Sequence, residues 1–387
     1  MTKLQWPNYS RSLLNTTATI LRHYGVGTPY APLRELVPFF QARPRHVILM
    51  IYDGMGTAAL RQHLDASSWL RRHQIAEITS VFPPTTTAAM TSYYTGLSPL
   101  EHGWLGWSLY FKQYGRSVDV FTNRDSLDKQ PLSQGRPAQE LLGYEPIYNK
   151  IDRATDGRVK TYSIGPQGLT LQPGVNHHIE VESLEDMAME LMHLCRLEES
   201  SFIFTYWPEP DATMHEVGPQ ANAVGGFLRQ LDHFLETLVP KLSDCFIMIS
   251  ADHGQIQVEQ EMDLRQDHDL YASLLLPPSM EPRAASLRVK PEHRVPFAAA
   301  FRKKYGRDFR LLSKQQVLQR NLLGMGTPHP LVDDFLGDYL AIGRTQRLLV
   351  CSSNFSVERF PFLGHHAGLC PDEMNIPLIV AQGGQTA

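Results

Sequence analysis

Short apolar runs rich in β-branched residues recur along this 387-residue chain, and most are separated by stretches of helical character. Val47–Tyr52, Ile78–Phe82, Val159–Ile164, Phe202–Tyr206, Phe246–Ser250, Leu348–Ser352 and Ile376–Val380 have the length of strands buried on both faces. Between them lie Thr57–Arg72, Thr87–Tyr94, Leu184–Leu197 and Ala221–Leu238, where apolar residues return at helical spacing. Alternation of this kind predicts an α/β fold: a mostly parallel central sheet with helices on both faces. From 267 to 343 the pattern changes. Charge and proline rise, and a strand-like Ala285–Val289, a helix-like Val295–Tyr305, a strand-like Phe309–Leu312 and a short helix Lys314–Arg320 follow one another. We read 267–343 as a small α+β insertion or cap on a core formed by 1–266 and 344–387.

Composition narrows the class of function. Lys and Arg number 36 against 40 Asp and Glu, a formal charge of −4, so no general basic field is available to hold nucleic acid. Leu13, Leu14, Ile20 and Leu21 mark one helix face instead of a continuous signal-peptide core, and no apolar run is long enough to span a bilayer. The four cysteines are widely spaced with no CxxC pair, which predicts neither a disulfide scaffold nor a thiolate zinc site. These features predict a cytoplasmic protein; they leave its oligomeric state open.

Several of the strand-like runs lead directly into acidic or histidine residues. Val47–Tyr52 ends in Asp53-Gly54, and Phe202–Tyr206 leads to Asp211 and His215. Phe246–Ser250 runs into Asp252-His253-Gly254, and Gly364-His365-His366-Ala367-Gly368 precedes the last run. Singly, each has an ordinary explanation: Asp53 as a turn former or helix cap, Asp211 and His215 as a surface i,i+4 pair, the histidines as loop residues. Jointly they place three aspartates and several histidines at the carboxyl ends of parallel strands, where α/β sheets gather their sites. Aspartate and imidazole are ligands for a zinc-like divalent ion. Beside them, Pro83-Pro84-Thr85-Thr86-Thr87 ends one strand and opens a helix. A helix N-terminus favours phosphate, and a threonine hydroxyl becomes a competent nucleophile when a metal or base activates it.

The segments VILMIYDG, VFPPTTTAAMTSYYTGLSPLEHG, YWPEPDATMHEVGP, ISADHG and GHHAGL occur in that order from Val47 to Leu369. In this they resemble the alkaline phosphatase superfamily and, within it, the nucleotide pyrophosphatase/phosphodiesterase branch. The resemblance implies an alkaline-phosphatase-like core with two divalent metal ions, zinc in the first place and Mn or Fe admissible. One would be held by Asp211, His215 and His366, the other by Asp53, Asp252 and His253. It also implies Thr86 as nucleophile, by its spacing from Thr95-Gly96, and His366 in preference to His365. Where the branch carries a phosphate-contacting Asn, this chain has Trp107, a candidate substrate contact. The sulfatase signature is missing. No Arg or Lys lies inside the five segments to meet the extra charge of a monoester. The implied function is therefore two-metal hydrolysis of phosphodiester or pyrophosphate bonds in a small phosphate ester, through a phospho-threonine. Phosphomonoesterase, phosphonate hydrolase, phosphomutase and an inactive metal-binding scaffold are the alternatives.

Overall fold

The computed structural model describes residues 3–166, 177–351 and 361–384. Its centre is a seven-stranded sheet of β1 (His46–Tyr52), β2 (Gln74–Thr79), β3 (Val159–Pro166), β4 (His177–Val181), β5 (Ser200–Trp207), β6 (Cys245–Ser250) and β7 (Asn375–Gln382). The order is β2-β7-β6-β1-β5-β3-β4. β1 lies between β5 and β6, parallel to both, and every one of its residues is buried. This is why HVILMIY is an unbroken apolar run and does not alternate. The polar exception, His46, meets Ser201 Oγ at 2.8 Å from its Nδ1.

β7 runs against its neighbours, antiparallel to both β6 and β2. Its reversal matters to function. The residues that precede β7 reach the same sheet edge as the residues that follow β1, β5 and β6. The loop after β2 arrives there too, because Asn375 at the start of β7 pairs with Thr79 at the end of β2.

A second seven-stranded sheet is antiparallel throughout. The stretch 267–343 contributes Ser279–Glu281, Ala284–Leu287, Phe309–Ser313 and Tyr339–Gly343; Ser108–Phe111, Arg116–Asp119 and Arg124–Asp125 complete it. The last three are only two to four residues long, too short to give a clear strand signal in sequence.

Three sequence expectations change. The run Ile78–Phe82 is strand only to Thr79; the Ser80 N–H turns to Met374 O at 2.8 Å, and Pro83 and Pro84 have no N–H for a ladder. The helix expected over Thr57–Arg72 is two helices, Thr57–His63 and Trp69–Arg72. The break falls in the turn-forming Asp65-Ala66-Ser67-Ser68, and distant Asp232 accepts the freed Trp69 and Leu70 N–H groups at 3.1 and 2.7 Å. Arg347–Val350 is a strand, but it pairs with Gln260–Asp263 and not with the central sheet. The Ser352 end of that expected run lies outside the described residues. No helix among the described residues is long and apolar enough to cross a membrane.

One buried ion pair ties the second sheet to the segment entering β7. Arg283 and Glu373 are both fully buried. Arg283 Nε and Nη2 donate to the two Glu373 oxygens at 2.6 and 2.8 Å, and Nη1 donates to Thr345 O and Arg347 O. Glu373 also accepts the N–H of Gly368 and Cys370 at 2.6 and 3.0 Å. Every strong donor and acceptor of the pair is therefore used, the condition under which a buried ion pair is sustainable. Arg283→Met leaves Glu373 charged and buried and should cost about 3–5 kcal/mol. Urea unfolding measures this, and Glu373→Gln added to Arg283→Met should recover part of the loss.

Candidate metal centre

Asp53, Asp252 and Asp211 come from three different strand ends and meet in one buried cluster. Their approach depends on Gly54, which sits at φ +70°; a Cβ there would lie 2.9 Å from Asp211 Cβ. The N–H groups in the first turn after each strand, with two side chains, hold the carboxylates. Asp252 Oδ1 accepts from Gly54 N at 3.1 Å and His253 N at 2.9 Å. Asp53 Oδ2 accepts from the Tyr206 hydroxyl at 2.5 Å. Asp211 Oδ1 accepts from Gln255 Nε2.

Asp53 Oδ1 and Asp252 Oδ2 are buried and have no hydrogen-bond partner. Each carboxylate thus spends one oxygen on anchoring and aims the other into the cluster. Such oxygens are costly unless a cation meets them. Burial, and then the charges of Asp252 and Asp211, push the Asp53 carboxyl well above its usual range. Asp211 goes the other way: burial opposes ionisation, but His215, by charge and by hydrogen bond, holds its carboxyl below the usual range.

The imidazoles are oriented by backbone carbonyls. His215 Nδ1 lies 2.9 Å from Gly364 O, His253 Nδ1 3.2 Å from Gly254 O and His366 Nδ1 3.0 Å from Pro84 O. Donation through Nδ1 leaves Nε2 as the lone-pair nitrogen, the arrangement metal-ligating histidines use. His215 Nε2 is 3.3 Å from Asp211 Oδ2, and His366 Nε2 is 4.0 Å from Asp211 Oδ1. His253 Nε2 is 3.4 Å from Asp53 Oδ1 and 3.3 Å from Asp252 Oδ2. His253 and His366 stack with centroids 3.8 Å apart. Two ligand groups result, Asp53-Asp252-His253 and Asp211-His253-His366, with His253 common to both and His215 beside Asp211. Burial holds the His366 imidazole neutral, as a ligand nitrogen must be. His365 Nδ1 is occupied by the His366 backbone. An all-O,N donor set with orphaned carboxylate oxygens suits a divalent ion.

The threonines open α1 (Thr86–Thr95), and their three hydroxyls have three fates. The Thr85 hydroxyl donates to Glu281 Oε1 at 2.7 Å. Thr87 Oγ1 is buried without a partner. Thr86 Oγ1 reaches the cluster, 3.3 Å from Asp53 Oδ2 and 3.3 Å from His253 Nε2. Trp107 is 38% exposed, its ring edge-on to Phe121 and its backbone N–H given to Glu281 Oε1 at 2.7 Å. Sequence reasoning passes over Tyr206, Gln255 and Glu281. The first two are legible by position, at the end of the strand before Asp211 and two residues after His253. Glu281 comes from the second sheet and carries no signal in sequence.

Residues 47–323 match the family described as type I phosphodiesterase / nucleotide pyrophosphatase. Bis(5'-adenosyl)-triphosphatase of Homo sapiens is 24% identical over 255 residues, 61% of this chain and 54% of that protein. Its counterpart in Pongo abelii is 32% identical over 89 residues, 20% of each chain. The chain therefore matches about half the length of the human relative, and less of the other. Human ectonucleotide pyrophosphatase / phosphodiesterase 5 has a similar fold, with TM-score 0.64 and 18% identity over 87% of both chains. So does phosphonoacetate hydrolase of Sinorhizobium meliloti 1021, with TM-score 0.62 and 17% identity over 88% of this chain and 91% of that one.

Removal of divalent ions by a chelator should lower the melting temperature. Re-addition at a hundredfold excess over Kd should return about 2.7 kcal/mol of stability. Asp252→Asn should reduce the metal retained after desalting, read by elemental analysis; full retention would remove Asp252 from the ligand set.

Proposed function

The chain belongs to the type I phosphodiesterase / nucleotide pyrophosphatase family, and we propose that it hydrolyses phosphodiester or pyrophosphate bonds through a covalent phosphoryl group on Thr86. The observation that carries this reading is the position of Thr86 Oγ1, at the start of α1 and 3.3 Å from both Asp53 Oδ2 and His253 Nε2. Asp53, Asp252 and His253 would hold one divalent ion, and Asp211, His215 and His366 a second; zinc suits these donors, and Mn or Fe would also serve. Such ions lower the pKa of a nearby hydroxyl and offset charge on phosphoryl oxygens.

The protein's own groups account for the rest. Asp53 Oδ2, steadied by Tyr206, accepts the Thr86 hydroxyl proton and turns the oxygen lone pair outward. Thr86 Oγ forms a bond to phosphorus as the bond to the leaving oxygen breaks. Water then attacks phosphorus; as the Thr86 Oγ–P bond breaks, the proton held on Asp53 returns to Thr86 Oγ and the water's excess proton passes to solvent. The first-turn N–H groups of α1 and its dipole face the phosphoryl oxygens. Trp107 stands beside this site, its backbone joined through Glu281 to the residue before Thr86, and is placed to pack against the substrate's leaving group.

Two features favour a diester over a monoester. Arg61 and Arg124 lie outside the five segments and are engaged elsewhere: Arg61 pairs with Glu77, and Arg124 donates to Lys129 O. The second is that Glu281 brings a carboxyl, not a cation, to the residue before Thr86. The metal-loaded protein should hydrolyse bis(p-nitrophenyl) phosphate faster than p-nitrophenyl phosphate, with chelator abolishing both. Thr86→Ala should cut turnover by on the order of 10⁴ or more at unchanged metal content. Surviving turnover would reject the nucleophile, and a monoester preference would reject the bond type.

A further inference from the structure

We propose that Glu281 is a positioning residue for the reaction, a tether that sets Thr86 by holding Thr85 and Trp107 on one carboxylate oxygen. The proposal rests on the phosphoryl-transfer reading above. Glu281 ends the strand Ser279–Glu281 of the second sheet and is only 5% exposed. The antiparallel pairing of Met280 with Ser108 sets Glu281 beside Trp107. The approach is close: a Cβ on Gly106 would come within 3.0 Å of Met280 Cα. Glu281 Oε1 then accepts from the Trp107 N–H and from the Thr85 hydroxyl, each at 2.7 Å. Burial raises the Glu281 carboxyl to about 7, against the lowering effect of these two hydrogen bonds.

The consequence lies at the N-terminus of α1. Thr85 is the N-cap residue, and an N-cap threonine ordinarily turns its oxygen onto the N–H groups of its own helix. Here it makes no side-chain cap bond. Its hydroxyl is drawn instead to a carboxylate from another sheet. Glu281 thus keeps the Thr85 side chain off the first turn, leaves those N–H groups to the phosphoryl oxygens, and fixes the backbone one residue before the nucleophile. The second sheet, which contributes no residue to either ligand group, gains a defined part in the chemistry.

The test uses the full chain loaded with zinc and assayed on bis(p-nitrophenyl) phosphate. Glu281→Ala and Thr85→Val should each lower kcat about a hundredfold, the scale on which small misplacements act. KM should rise by no more than about tenfold, less than kcat falls, and metal content should stay near that of the parent. Glu281→Gln, which keeps an acceptor oxygen, and Thr85→Ser, which keeps the hydroxyl, should recover most of the loss. The double variant Glu281→Ala/Thr85→Val should be no worse than the poorer single one, because both break the same bond. Parent-like kcat in Glu281→Ala, failure of both conservative variants to recover, or additive losses would overturn the tether. If Glu281→Ala does not fold, Thr85→Val against Thr85→Ser makes the same comparison. Loss of turnover in Thr86→Ala shows, in the same assay, that the catalytic reading stands when the tether fails. If the parent itself shows no turnover, that reading fails, and calorimetry with inorganic phosphate judges the tether. About tenfold weaker binding by Glu281→Ala supports it; unchanged binding overturns it.

Discussion

Three carboxylates forced together in a buried site are the constraint around which this molecule is arranged. Asp53, Asp252 and Asp211 are anchored by Tyr206, by the N–H groups of Gly54 and His253, and by Gln255, while Asp53 and Asp252 each leave one buried oxygen unbonded. Like charges at this spacing in a poorly solvated site oppose one another and oppose their own ionisation. The arrangement becomes favourable when cations occupy it, and the three imidazoles, oriented through Nδ1, complete the donor set. A stable scaffold must therefore surround the cluster and hold it against its own repulsion.

That scaffold is built in two ways. The central strands supply rigid ends: β1, β5 and β6 are fixed in parallel register deep in the core, so the residues just past them have little freedom. The reversed direction of β7 then brings His366 to the same edge from the opposite sense of the chain. The second sheet closes the arrangement from outside. Arg283 and Glu373 hold the turn after His366, and Glu281 holds the residue before Thr86. Both contacts come from adjacent strands of that sheet, Ser279–Glu281 and the turn into Ala284–Leu287. A sheet that supplies no member of the ligand groups can thus govern the segments after β2 and before β7.

Much of this arrangement is legible in the order of the residues. The run HVILMIY ending in Asp-Gly says buried parallel strand and carboxyl-end carboxylate in one phrase, because burial on both faces removes alternation and the polar residue must fall at the end. The i,i+4 spacing of Asp211 and His215 says that they share a helical face, and they do, on the helix Asp211–Val217. Less is legible where the signal is short or depends on distant partners. Ser108–Phe111 and Arg116–Asp119 are strands because other strands pair with them, and the break at Asp65–Ser68 is stabilised by Asp232, far away in sequence.

The sequence by itself determined the α/β layering and the chemical kinds gathered at the sheet edge, since periodicity, strand ends and residue type are local properties. Only the tertiary structure decided which carboxylate oxygens are left unbonded, and that Glu281 holds Thr85, the residue before Thr86. These depend on hydrogen bonds and distances between segments far apart in the chain, as Thr85 and Glu281 are at a separation of 196 residues. No local pattern encodes such contacts; they follow from how two sheets pack.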